Sequence, residues 1–220
     1  MLLQPDQRTK LDDTDDTLFY DYPRFVTHVD AGFIQQLTDL YRAHLQPEFL
    51  VLDLMSSWVS HLPEEIQFEQ VIGHGLNAKE LAKNPRLDDF FIQNLNQELK
   101  LPQTDCTFDA VLIAVSVQYL QYPEAIFSEI YRVLKPNGVV IVSFSNRMFY
   151  QKAIQAWRDG SDNQHLQLVQ SYIRAVEGLS DPQVIANQTS QSTFLSRIGL
   201  GGGDPFFAVL ARRLPTTTVG

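Results

Sequence analysis

The stretch Phe49 to His61, FLVLDLMSSWVSH, is a short apolar run ending in Asp53 that passes directly into two serines, a tryptophan and a histidine. Ionisable and polar groups at the end of a buried strand are the raw material of a ligand site, because ligands on open α/β sheets bind outside the carboxyl ends of the strands. His61 is one imidazole that could take a proton near neutral pH; His28, in the aromatic segment TLFYDYPRFVTHVD (17–30), is another. Several other chemistries lack their spacing. His28, His44, His61, His74 and His165 form neither HxH nor HExxH, which argues against a metal. There is no GxSxG elbow for a hydrolase serine and no Walker-type lysine loop. Cys106 is the single cysteine and lies in polar LPQTDCTFD with no assignable partner, so it reads as an incidental loop position. The glycine-rich GLGGGDP (199–205) precedes Pro205 and an apolar run instead of opening a helix, so it reads as a flexible connection or hairpin turn. The acidic run LDDTDDT, Leu11 to Thr17, reads as a solvated N-terminal segment.

Those side chains need a scaffold, and the 220 residues fit one domain. An apolar content of 44% supplies an ordinary core. A net charge of −9 with no basic cluster disfavours nucleic acid, whose recognition needs grouped Lys and Arg. One cysteine permits no intrachain disulfide and points to a cytoplasmic protein. No apolar stretch approaches the length of a membrane span, and the N-terminus resembles neither a signal peptide nor an anchor, so no membrane partner is expected.

Four apolar runs mark strands: FLVLDL (49–54), FDAVLIAVSV (108–117), VVIVSF (139–144) and FFAVLA (206–211). The middle two are almost continuously apolar, as strands of a parallel sheet covered on both faces are. FEQVIGHGL (68–76) and DFFIQNLN (89–96) are weaker candidates. Between them, the segment after Asp30 sets Phe33, Ile34, Leu37, Leu40 and Tyr41 on one helical face, with Asp30 as N-cap. PEAIFSEIYRVLKPNG does the same with Ile126, Ile130, Val133 and Leu134; Pro123 opens it, Lys135 falls in its last turn, and Pro136-Asn137-Gly138 ends it. Two further helices are expected in NRMFYQKAIQAWRDG and HLQLVQSYIRAVEG.

The segment FDAVLIAVSVQYLQYPEAIFSEIYRVLKPNGVVIVSFSNR (108–147) resembles the second half of the class I S-adenosylmethionine-dependent methyltransferase fold. A strand FDxV, a helix reading roughly ALxEIxRVLKPGG and a strand ending SF are matched by EIYRVLKPNGVVIVSF, with Asn137 where a glycine is usual. The resemblance covers residues 49 to 147 and a terminal strand near 206–211. It implies a Rossmann-like three-layer α/β sandwich: a mostly parallel seven-stranded sheet with an antiparallel C-terminal strand. The corresponding division is an N-terminal arm and helical lid (1–48), a cofactor-binding core (49–147), a helical insertion (148–205) and the final strand (206–214).

The resemblance also implies where S-adenosylmethionine would lie. The family's LDLGxGxG loop falls on Asp53, Leu54, Met55, Ser56, Ser57, Trp58 and Val59, so Asp53 is kept and the three glycine positions become Met55, Ser57 and Val59. The serines are small, and their backbone N–H groups could still meet a carboxylate. The acidic residue that usually ends the second strand and holds the ribose falls on Gly75, followed by Leu76, so that hook is missing; Asn77 is a poor substitute by position. Asn94 or Asn96 could meet the adenine amino group. Val115 and Ser116 fall at the cofactor edge of the fourth strand, and Gln118 and Tyr119 at a substrate wall. Tyr20, Arg24, His28 and His61 complete the expected substrate lining, with the segment containing Arg147, Tyr150 and Trp157 as another wall.

Two arrangements of LMSSWVSH remain open from sequence: a variant cofactor loop with Trp58 and His61 shaping a pocket, or a closed loop with Trp58 packed into the core. They lead to two expectations, a methyltransferase acting on a small-molecule acceptor or a non-catalytic binding or regulatory protein on the same scaffold. No catalytic residue is readable, since methyl transfer from a sulfonium demands neither nucleophile nor metal and rests on alignment.

Overall fold

The computed structural model describes residues 2–187 and 203–215. Seven strands form one sheet: β1 (Leu50–Leu54), β2 (Gln70–Gly75), β3 (Asp89–Ile92), β4 (Phe108–Ala114), β5 (Leu134–Phe144), β6 (Gln183–Asn187) and β7 (Phe206–Arg212). Their order is β3-β2-β1-β4-β5-β7-β6. The first five are parallel, β7 runs antiparallel to β5, and β6 pairs antiparallel with β7 at the edge. The chain progresses outward one way from β1 through β3, then returns to place β4 on the other side of β1. The crevice at that reversal is where doubly wound sheets take ligands.

The apolar strands are apolar because both faces are covered. Along β4, Val111 and Ile113 join the core that includes Ile126, Phe127 and Ile130, while Ala110 and Leu112 join the one that includes Phe33, Leu37 and Tyr41. Helix α2 (Ala31–His44) supplies the second group and starts where Asp30 accepts the Phe33 N–H at 2.8 Å. Helix α4 (Pro123–Val133) and helix α6 (Asp162–Arg174) cover the other face; α6 begins with a capping box between Ser161 and Gln164.

Several expectations are corrected. Helix α4 ends at Val133, so Lys135 lies in β5 and not in a last helical turn; its ammonium pairs with Asp109 at 2.8 Å. The helix expected around residues 146–160 shrinks to α5 (Gln155–Arg158). Strand β6, with a largely exposed pattern, was not anticipated in the 148–205 segment. Most of the acidic run lies at the surface as expected, but Asp16 does not: it begins the short helix α1 (Asp16–Phe19), is 7% exposed, and accepts Lys10 at 2.6 Å. Residues 199–202 of the glycine-rich stretch lie outside the described residues. Its Asp204 is buried and exchanges hydrogen bonds with Asp30, at 2.6 and 2.9 Å, while accepting Arg147 Nε at 2.7 Å.

Candidate functional site

A cavity of about 360 Å³ opens at the carboxyl ends of β1, β2 and β4, within the size range of small-ligand sites. Its floor is the chain leaving those strands: Asp53, Met55, Ser56 and Ser57 after β1, Gly75 and Leu76 after β2, and Val115 and Ser116 after β4. Asn94 and Asn96 line it from the turn beyond β3. Tyr20, Arg24 and His28 from the N-terminal arm, His61 and Tyr119 complete the wall. Outside the 147–157 segment, every expected lining residue is brought together except Gln118. That side chain is buried, and its amide donates to Val115 O at 3.0 Å and Arg147 O at 3.4 Å instead of reaching the cavity. Trp157 is fully buried in the core and Tyr150 is on the surface, so of that expected wall only Arg147 lines the cavity.

Trp58 decides between the two arrangements of the loop. It lines the cavity and donates from Nε1 to Val26 O at 3.1 Å, with Phe25 edge-on at 6.4 Å. The core is filled without it, and the loop is open.

The loop is nevertheless built differently from a glycine loop. Met55 has φ +59°, keeping the left-handed conformation that a glycine adopts at no steric cost. Val115 at φ +50° and His61 at φ +55° also line the cavity in that region. A β-branched residue there is a genuine outlier, and such positions cost on the order of 1–3 kcal/mol each. Two of the loop amides are not free. Met55 N–H donates to His74 Nδ1 at 3.0 Å, and Ser56 N–H donates to His74 O at 2.6 Å. The expectation that the Ser56 amide meets a carboxylate is therefore corrected, because it is spent on β2.

The missing acid at Gly75 has a steric cause. A Cβ there would lie 2.7 Å from Ser56 O, so the pinned loop excludes any side chain. Asn77 caps helix α3 (Ala78–Leu81) and donates to Tyr20 O at 2.7 Å, binding the arm and not facing the cavity as a spare donor. Asn94 and Asn96 serve the arm too. Asn94 Nδ2 donates to Asp15 at 3.2 Å; Asn96 Nδ2 donates to Asp16 at 2.9 Å and its oxygen accepts the Gln121 N–H. Neither amide is idle, which disfavours the adenine role expected of them.

The electrostatics are set by burial. Asp53 is 3% exposed and desolvation raises its pKa to about 6, against the lowering effect of the Ser56 hydroxyl at 2.6 Å and of Ser60. Burial pushes His61 below its ordinary range, and His28 likewise, with Glu80 and Arg24 acting on His28 in opposite senses. Tyr119 is held up at about 12 by desolvation, and its hydroxyl accepts the Phe149 N–H. Two residues that sequence reading passed over shape the site. His74 holds the loop. Glu80 lines the cavity and accepts the Ser57 hydroxyl at 2.5 Å and the Arg24 N–H at 2.6 Å. A buried acid following a strand that lacks its terminal acid was a signal, but its position in a one-turn helix was not.

The methyltransferase domain family matches residues 57–142, beginning inside the loop after β1. A demethylmenaquinone methyltransferase from Streptomyces avermitilis is 50% identical over 48 residues, which is 21% of this chain and 21% of that protein; the matched segment thus spans about a fifth of the relative's length. Among solved structures, the [4+2]-cyclase SpnF superposes with a TM-score of 0.56 at 17% identity, covering 81% of this chain and 80% of its own. Phosphoethanolamine N-methyltransferase 2 from Haemonchus contortus, in complex with S-adenosyl-L-methionine, gives 0.54 at 17% identity, covering 83% of this chain and 52% of its own. The chain has the Rossmann-like fold of the class I S-adenosylmethionine-dependent methyltransferases, and its residues 57–142 match a methyltransferase domain.

S-adenosyl-L-methionine is the molecule bound in the Haemonchus contortus structure. The cavity suits it in size and in leaving buried polar atoms unmatched: Ser116 Oγ and Arg24 Nη1 have no hydrogen-bond partner among the described residues, and both residues line the cavity. Buried polar groups are normally satisfied, and those that are not call for a ligand or other partner.

Proposed function

We propose that the chain binds S-adenosylmethionine in this cavity and methylates a small molecule. The observation that carries the reading is the open cavity at the β1–β4 reversal, floored by two residues held in left-handed backbone, Met55 and Val115. Strain of that kind persists where the surrounding structure enforces it, and it clusters at working sites. Met55, Ser57, Leu76 and Ser116 would border the cofactor, and Glu80 stands in the wall where the second strand offers no acid. When bound, the cofactor supplies a methyl group on a sulfonium. The chain's own part is to align the acceptor, exclude water under the arm and, where the acceptor is a hydroxyl or amine, take its proton. His28 and His61 suit that last task, because burial keeps both imidazoles neutral at pH 7. The Streptomyces avermitilis relative makes demethylated quinones the first acceptors to screen. An intracellular location belongs to the same reading.

A second reading, binding without methyl transfer, is favoured by one observation: the Met55 and Ser56 amides of the loop are committed to His74. The fold alone does not choose, since SpnF, named as a cyclase, shares it. Calorimetric titration with S-adenosylmethionine and with S-adenosylhomocysteine separates the possibilities. Micromolar binding of both supports a cofactor site, and a methylated product then selects the first reading. No heat and no thermal stabilisation at millimolar ligand would remove both forms of it.

A further inference from the structure

The N-terminal arm brings a cation to the cavity whose hydrogen-bonding capacity is not used up. The Arg24 guanidinium lies over three rings, at 4.6 Å from the Phe19 centroid, 5.4 Å from Phe149 and 5.8 Å from Tyr20. Nη2 donates to Phe19 O at 2.9 Å, while Nη1 is buried with no partner among the described residues. Glu80, the neighbouring acid, is occupied by the Arg24 backbone N–H and the Ser57 hydroxyl. A guanidinium held among aromatic rings has lost its rotational freedom in advance, and its planar fork matches a carboxylate. A buried donor left unpaired is costly, so the arrangement favours a ligand that completes it.

The loop explains why that ligand group would come here. Amino-acid carboxylates are readily held by free backbone N–H groups at strand ends, but Met55 N–H and Ser56 N–H are already bonded to His74. We propose that Arg24 receives the carboxylate at the amino-acid end of S-adenosylmethionine, so that the arm and not the loop anchors that end of the cofactor. This rests on the cofactor reading above. It makes Arg24 a binding residue and the arm an integral part of the site.

The test is calorimetric titration of the whole chain, as wild type, Arg24→Met and Arg24→Lys, with two probes. S-adenosylhomocysteine carries the carboxylate; 5′-methylthioadenosine lacks the amino-acid end. Wild type is expected to prefer S-adenosylhomocysteine by roughly 10- to 100-fold, the range of a charge-assisted pair. Arg24→Met should bring the two affinities close together by weakening S-adenosylhomocysteine alone. Arg24→Lys should keep part of the preference, since it retains charge without the fork. Wild-type preference retained in both variants would overturn the assignment and leave the cofactor reading standing. Equal weakening of both probes would also overturn it, because the arginine would then only hold the arm. Should Arg24→Met fail to fold, Arg24→Lys carries the test alone, and an undiminished preference there counts against the assignment. Failure of wild type to bind either probe would remove the inference and the cofactor reading together.

Discussion

His74 Nδ1 accepts the Met55 N–H at 3.0 Å while His74 Nε2 sits 2.8 Å from Gln93 O. A carbonyl can only accept, so Nε2 carries the proton and Nδ1 is bare. One neutral imidazole therefore ties the loop after β1 to the turn after β3. Protonation would put a second N–H against the Met55 amide, and burial already pushes this pKa down to about 4.

That ring and Asp53 titrate against each other. The unfolded chain holds His74 near 6.5 and Asp53 near 3.8, whereas the folded values are about 4 and about 6. Between those limits the unfolded state binds the extra proton at His74, so stability from that residue is full above pH 6.5 and lost on acidification. At Asp53 the folded state binds the extra proton, so its contribution is lost as pH rises from 4 to 6. Each amounts to something on the order of 3 kcal/mol. Measured by urea unfolding, Asp53→Asn should gain on wild type as pH rises from 4 to 6, and His74→Phe should gain on wild type as pH falls. Reading differences from wild type removes the carboxylates common to all three proteins. Parallel curves for all three proteins would show that neither group is buried as described.

Restoring the acid at the end of β2 should not repair the site. Gly75→Asp places a Cβ 2.7 Å from Ser56 O, a backbone atom in a loop pinned by His74. Overpacking of this kind costs about 1–3 kcal/mol. Thermal denaturation of Gly75→Ala isolates the steric part and should show most of that loss. A gain in nucleoside affinity for Gly75→Asp without destabilisation would mean that the loop swings clear.

The sheet was legible because its signals are local. β4 and β5 are continuous apolar runs, and α2 and α4 announce themselves by stripe, cap and Pro123. Strand β6 was not legible, since its residues are mostly exposed and its pairing with β7 is settled by partners 19 to 27 residues away. The site divided along the same line. Positions fixed by the strand ends, such as Asp53, Met55 and Val115, were readable from where the strands stop. The roles of Asn94, Asn96 and Gln118 were not, because their partners, Asp15, Asp16 and Arg147, lie far along the chain. Charge alone made all of LDDTDDT look solvated; the burial of Asp16 within it depends on Lys10 and the distant Lys152.

Lys152 is fully buried and reaches Thr14 O at 2.8 Å, Asp12 O at 3.2 Å and Asp16 Oδ1 at 3.5 Å. It is the post to which the arm is tied. Lys152→Met keeps the apolar stem but leaves buried Asp16 with Lys10 as its remaining cation, and breaking a buried pair on one side typically costs about 3–5 kcal/mol. Hydrogen exchange should show residues 10–29 losing protection ahead of β4 and β5, and nucleoside binding should weaken with them. Uniform loss of protection across the sheet would mean that the arm is not a separable unit.

Trp58 offers a direct report on the cavity. The chain has two tryptophans, and Trp157 is buried, stacked on His165 with centroids 4.1 Å apart, away from the cavity lining. Trp58 is partly exposed in the wall and bonded to the arm through Val26 O. A ligand entering beneath the arm changes the solvent around Trp58 and leaves Trp157 alone, so titration with S-adenosylhomocysteine should shift or quench the emission. Trp58→Phe should abolish that optical change while calorimetry still reports binding. Its affinity should fall only slightly, because the lost Nε1–H bond is a partly exposed one worth about 1 kcal/mol or less. An undiminished emission change in Trp58→Phe would mean that the ligand binds near Trp157, far from the strand ends on which the proposed site is built.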